Sequence, residues 1–305
     1  MNNFLKNLLI FLLPVILLGS SMEILLRRIP NDYAYKASYL NENSEKIEVL
    51  FLGSSHAYRD INPVYMHANS FNAGYVSQSL YFDYEIFKQH LGHWDHLEYI
   101  VIPISYFSLF MQLDSTPEAW RVKNYEIYYG MTTSGSLSDY FELFSNKADT
   151  NLERIRLYYW LGQSNTSSSK LGWGAFPPGS KPGLLESGKT AAERHKQIVE
   201  DGEANLKVNM DILNAFIAYA NAKGIKLIFY TPPAYHSYVE NLNKEKLDQS
   251  IAILTQLDKE YEHVIYINYL NDPSFTETDF FNADHLDVSG AEKLTKKIDA
   301  LITIH

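Results

Sequence analysis

The chain has 305 residues, 46% apolar, 20% charged and 14% aromatic, which suits a packed globular core and excludes disordered and collagen-like classes. Acidic side chains outnumber basic ones 36 to 26, and the formal charge of -10 opposes an unspecific grip on phosphates, so no nucleic acid partner is expected. Cysteine is absent, which removes disulfides, thiolate zinc sites and a thiol nucleophile but leaves the compartment open.

In chain order the first feature is an apolar run, Leu8 to Leu26, whose only charge is Glu23 and which Arg27 and Arg28 close. As a helix it reaches roughly 28 Å, close to the thickness of a bilayer's hydrocarbon core. Residues 1–28 are therefore read as a membrane anchor through residues 8–26, or as a signal segment with Gly19, Ser20 and Ser21 as its small residues. A buried amphipathic helix is the third alternative. Basic residues flank both ends, so charge leaves the topology open.

Short apolar runs then alternate with amphipathic stretches. Strands are predicted at Glu48 to Leu52, Ser70 to Ala73, Tyr99 to Ile104, Lys226 to Tyr230 and His263 to Ile267. Their continuous apolar character, as in YIVIPI, is what a parallel sheet covered on both faces requires, so the fold class is α/β, a three-layer α/β/α sandwich with a mainly parallel five-stranded sheet. A helix is expected from about Ala191 to Ala222, with Leu206, Met210, Leu213, Ile217 and Ala220 on one face and Gly224 as its stop. A last helix is expected after Ser289, which with Glu292 forms a capping-box pattern and precedes the stripe Leu294, Ile298, Leu301. Residues 45–305 read as one domain with an insertion at about 110–190, in which Gly162 to Lys189 is a glycine- and proline-rich surface loop.

Gly183 to Thr190, GLLESGKT, matches the phosphate-loop pattern. That pattern needs a buried strand feeding the loop, and the proline-rich FPPGSKP that precedes it cannot be one. A nucleotide site is rejected on that ground.

The segment VLFLGSSHAYRDINP, Val49 to Pro63, runs an apolar strand into Gly53, Ser54 and Ser55. A serine after a glycine turn at a strand end exposes its hydroxyl and keeps its own amide free, which is a nucleophile's position or a polar strand-to-helix cap. Far along the chain, DFFNADHLDVSG places His285 among acidic and amide side chains just before the last helix. Imidazole is suited to take a serine proton near neutral pH, and in an open parallel sheet both loops reach the carboxyl ends of the strands.

Together the two segments resemble the SGNH/GDSL hydrolase family over roughly residues 45 to 305, with Ser55 at the nucleophile's position and Ser54 in place of the usual Asp. The resemblance implies a flavodoxin-like strand order and an oxyanion hole; no metal-ligand spacing stands out in the sequence, and no cofactor is expected. Gly74 in SFNAGYVSQSLY matches the second block's glycine, whose amide, with that of Ser55, binds the oxyanion. The third block's Asn is missing, and Ser105 stands where it would donate. The family's Asp three residues before the histidine is Asn282 here, while Asp284 adjoins His285, so either can orient the imidazole. His56 is a candidate structural or substrate contact and Tyr235 a candidate substrate contact, Arg59 and Asp60 are a candidate rim pair, and Tyr99, Tyr106, Tyr128 and Tyr129 suit sugar stacking or, more simply, core and half-buried surface.

These residues predict a serine esterase or O-acyltransferase working through an acyl-enzyme on Ser55. The resemblance implies acylated cell-surface carbohydrate as substrate, an extracytoplasmic location and a membrane-bound O-acyltransferase as partner. A catalytically silent glycan-binding or scaffold protein is the alternative.

Overall fold

The computed structural model describes residues 3–133, 137–164, 166–177, 179 and 181–302; positions 178 and 180 of the proline-rich stretch lie outside them. The chain forms two compact units. Residues 1–38 and 120–167 make up the first, and residues 39–119 and 168–305 the second.

In the first unit, helix Asn3–Arg27 carries the apolar run, with Pro14 inside it. The short helix Glu142–Ser145 and the helix Ala148–Tyr159 belong to the same unit. Leu26, Ile29 and Ile155 are buried together, with Met22, Leu25, Leu143 and Tyr158 packed around them.

The second unit is built on five strands: β1 (Val49–Phe51), β2 (Ser70–Asn72), β3 (Tyr99–Pro103), β4 (Lys226–Thr231) and β5 (Val264–Asn268). All pairings are parallel, in the order β2-β1-β3-β4-β5, the flavodoxin-like order that reverses beside β1. Every residue of β1, β2 and β3 is buried, which explains why β1 and β3 read as unbroken apolar runs, while β2 buries Ser70 and Asn72 beside Phe71. On one face Val49, Phe51, Val101, Ile228 and Tyr230 pack with Leu294 and Ile298 of the last helix. Phe87 of helix Leu80–Gln89 and Phe216 of helix Asn205–Lys223 bring their rings 5.4 Å apart. Tyr99 and Tyr106 are core residues, 2% and 3% exposed, and are not available for sugar stacking.

Two helix expectations are corrected. The helix expected over 191–222 is two helices, Leu184–Asp201 and Asn205–Lys223, because Gly202 ends the first in backbone contact with Phe110 and no side chain would fit there. The last helix, Val288–Asp299, is capped by Asp287, whose carboxylate accepts from the Gly290 amide at 2.9 Å; Ser289 lies inside the helix and Leu301 beyond it. GLLESGKT is helical from Leu184 onward, so it forms no phosphate cradle. Part of the supposed surface loop is also packed. The Asn72 amide donates to the Leu171 carbonyl at 2.9 Å, and the Gly174 amide to Tyr58 at 2.9 Å.

One element was not expected. β6 (Phe280–Asn282) and β7 (His285–Leu286) form an antiparallel hairpin whose turn is Ala283 and Asp284, and Asn282 pairs directly with His285.

Candidate active site

β1 delivers the serine. Its end at Gly53 adopts φ of +121°, and a Cβ there would lie 2.8 Å from the Pro103 ring, so both conformation and space demand glycine. The Gly53 amide donates to buried Asp83 at 2.7 Å, which holds the turn. Ser55 then opens the helix Ser55–Tyr58, where its amide has no acceptor within the helix.

The hairpin delivers the histidine. His285 Nε2 lies 2.8 Å from Ser55 Oγ, across 230 residues of sequence. Asn282 Oδ1 accepts from the Asp284 amide at 3.3 Å and the His285 amide at 2.8 Å. Those two donors identify this atom as the oxygen. The same oxygen stands 3.2 Å from His285 Nδ1, while Asp284 Oδ1 stands 3.4 Å from it. The amide oxygen is the nearer neighbour of Nδ1, with the carboxylate close beside it. Asn282 and His285 meet as cross-strand partners, not around a helical turn.

Burial by itself lowers the basicity of His285, but the adjoining Asp284 carboxylate outweighs it, and the net shift is upward from 6.5. Burial pushes Asp284 the other way, yet the imidazoles of His285, His195 and His56 hold it well below the ordinary carboxylate range. Arg194 reaches to 3.9 Å from Asp284 Oδ2.

His56 is not at the cavity wall. It is buried, with Nε2 2.7 Å from the Asp284 carbonyl and Nδ1 2.8 Å from Ser105 Oγ. Burial, with the neighbouring His285 adding to it, pushes its pKa down to about 3, so the ring is neutral. A carbonyl can only accept, so Nε2 carries the proton and Nδ1 accepts from the Ser105 hydroxyl. That commits the one proton of Ser105 away from any oxyanion. Gly74 is also committed: its amide donates to Asn72 Oδ1 at 3.0 Å, and a Cβ there would meet Ala57 and the Gly53 carbonyl, each at 2.7 Å. Of the three expected oxyanion donors, the Gly74 amide and the Ser105 hydroxyl are thus engaged with other partners.

Tyr235 supports the hairpin from behind, its amide donating to the Ala283 carbonyl at 2.8 Å and its ring packing against Phe280. Arg59 and Asp60 do not form the rim pair. Arg59 donates to the carbonyls of Gly174 and Ala175, and buried Asp60 accepts from the Leu286 amide at 3.0 Å.

A cavity of about 590 Å³ opens beside Ser55 and His285. Its lining combines apolar Phe107, Phe110, Met111 and Phe176 with polar Arg59, Arg194, Glu118 and Asp201. Val76 and Ser77 also line it; Ser77, at φ of 59°, is the sole non-glycine among the described residues in the left-handed region. Most of this wall carries no motif in the sequence, since it comes from loops and from one face of helix Leu184–Asp201. His195 was missed too; it lines the cavity and bonds Tyr238 at 2.7 Å.

His56, Asp284 and His285 lie close enough together to suggest a metal cluster. The donor set does not fit one, since both His56 nitrogens and both His285 nitrogens already face protein partners.

No family model matches the chain, and no curated protein does. Among solved structures it is similar to a Streptococcus pneumonia protein described as a platelet activating factor, at 12% identity and TM-score 0.43, covering 99% of both chains. It is also similar to a Bacteroides fragilis protein described as an acylhydrolase, at 12% identity and TM-score 0.37, over 86% of this chain and 94% of that one. A third is a GDSL-like lipase from Bacteroides thetaiotaomicron, at 14% identity and TM-score 0.37, over 88% of this chain and 98% of that one. Likenesses this distant carry no functional weight. Strand order, with the serine after β1 and the histidine before the last helix, is what makes the fold SGNH/GDSL-hydrolase-like.

Proposed function

We propose that the chain is a serine ester hydrolase or O-acyltransferase acting through an acyl-enzyme on Ser55. The observation that carries this reading is the 2.8 Å contact between Ser55 Oγ and His285 Nε2 at the wall of the cavity. His285 takes the Ser55 proton as Oγ bonds the ester carbonyl carbon, and the imidazolium is stabilised by Asp284 and oriented by Asn282. The Ser55 amide donates to the oxyanion. The carbon–oxygen bond to the leaving alcohol then breaks, and that alcohol takes the proton from His285. Water attacking the acyl-enzyme completes hydrolysis; a sugar hydroxyl in its place completes transfer.

The substrate class we favour is acylated cell-surface carbohydrate, with the catalytic unit outside the cytoplasm and a membrane-bound O-acyltransferase as partner. Supporting it are the mixed apolar and polar cavity and the apolar N-terminal helix. A silent glycan-binding or scaffold protein is the second reading, favoured by the prior commitment of the Gly74 amide and the Ser105 hydroxyl.

A fluorophosphonate probe tests the choice. Labelling that vanishes in Ser55→Ala supports the enzyme; no labelling of the wild type supports the silent reading; labelling that persists in Ser55→Ala places the nucleophile elsewhere.

A further inference from the structure

We propose that the exposed aromatic surface on residues 141–161 seats in the interfacial layer of the same bilayer that helix Asn3–Arg27 crosses. The proposal rests on reading that helix as a membrane anchor. Its apolar window has a mean hydropathy of 2.3, and none of that window is buried.

Packing onto the helix begins at Gly19, where Leu143 Cδ2 would lie 3.6 Å from an added Cβ. Glu23 follows, accepting from the amides of Glu142 at 3.2 Å and Leu143 at 2.8 Å, and from Arg27. Farther along, Tyr159 donates to the Leu25 carbonyl at 3.0 Å, and Arg27 donates to the Tyr140 carbonyl. Only Phe4 to Leu18 stands free of this coat, a rise of roughly 21 Å against a hydrocarbon core about 30 Å thick. The missing depth, roughly 9 Å on the same arithmetic, falls on Gly19 to Ile24 and on whatever is docked there.

What is docked there suits lipid. Phe144 is 65% exposed, Trp160 74%, Leu152 58% and Leu161 51%, with Phe141 and Tyr159 about two-fifths exposed. Trp and Tyr, with an apolar body and a polar edge, belong at the headgroup boundary. The lone acid of the apolar run is matched as well, because Glu23 meets two amides and a guanidinium before it reaches lipid. Continuity with the span selects the bilayer as occupant over a protein partner.

The absence of cysteine makes the test clean. The full chain is reconstituted in phosphatidylcholine–phosphatidylglycerol vesicles with single nitroxide-labelled variants Phe144→Cys, Trp160→Cys, Leu12→Cys and, as a water reference, Lys207→Cys. Power saturation then compares collision with oxygen and with a water-soluble nickel chelate. Labels at 144 and 160 are expected to prefer oxygen several-fold over the label at 207. Nickel access at 144 and 160 equal to that at 207, with the label at 12 protected, overturns this proposal and spares the anchor. Nickel access at 12 as well removes both. Protection at 144 and 160 that disappears on dilution with lipid, together with dipolar broadening between labels, assigns the surface to a second copy and also overturns it.

Discussion

The imidazole of His56 lies parallel to that of His285, with ring centroids 4.7 Å apart and planes 8° from each other. Two cations could not share that stack, and His56 is the member kept neutral. Its Nε2–H also grips the Asp284 carbonyl in the turn that presents His285. His56→Phe keeps a flat ring but leaves that carbonyl and the Ser105 hydroxyl without partners, at about 1–3 kcal/mol for each buried orphan. Thermal melting should show the loss. Under the proposed reaction, kcat for p-nitrophenyl acetate should drop roughly tenfold, about 1.4 kcal/mol, at constant KM. Unchanged kcat with a lower melting temperature would reduce His56 to packing alone.

The division between Asn282 and Asp284 predicts different pH profiles. Reaction needs His285 neutral, so activity falls as pH drops through its raised pKa, above 6.5. Asp284→Asn removes the charge that raises that pKa, so the acid limb should move to lower pH. Asn282→Ala keeps the charge but frees the ring, and should cost on the order of a hundredfold in kcat with the acid limb in place. Rate–pH curves for the two variants check this; identical shifts in both would contradict it.

Buried acids and imidazoles set opposing pH dependences of stability. Burial raises Asp60 to about 8 and Asp83 to about 7, so the folded state retains protons that the unfolded state sheds from about pH 4 upward. Each therefore removes up to about 1.4 kcal/mol per pH unit until its folded pKa is reached. His56 and His195, lowered to about 3, act the other way: the unfolded state takes up protons below 6.5 that the folded state refuses. Between about pH 4 and 6.5 the two effects cancel, and above 6.5 the acids are unopposed. Asp60→Asn should raise stability to denaturant far more at pH 8 than at pH 5. A gain of equal size at both values would show that Asp60 is not protonated in the fold.

Gly53→Ala tests the turn. A φ of +121° and the Pro103 ring at 2.8 Å leave no relaxed site for a methyl group, and the variant should lose more than about 2 kcal/mol in urea unfolding. A loss below that would mean the strand end relaxes without harm.

The sheet was legible because both of its faces are covered, so β1, β3 and β4 are written as apolar runs that no loop imitates. Ser55 and His285 were legible because strand-end and pre-helix positions bring remote loops to one edge. The β6–β7 hairpin was not, since three residues and two residues hold no alternation to detect. His56 misled because a histidine beside an exposed serine reads as exposed, whereas the first helical turn rotates it inward. The commitment of the Gly74 amide depends on Asn72, two residues earlier, folding its side chain back, a choice that spacing cannot express.

The separation of 230 positions between Ser55 and His285 also orders events in time. Translation releases the serine early and its proton acceptor late, after all five parallel strands have been made. A nascent polypeptide still lacking the hairpin would hold an inert alcohol, so on the proposed mechanism reactivity switches on only once the hairpin has been made. Ribosome-stalled fragments halted ahead of β6 should accordingly ignore the fluorophosphonate that the finished protein accepts.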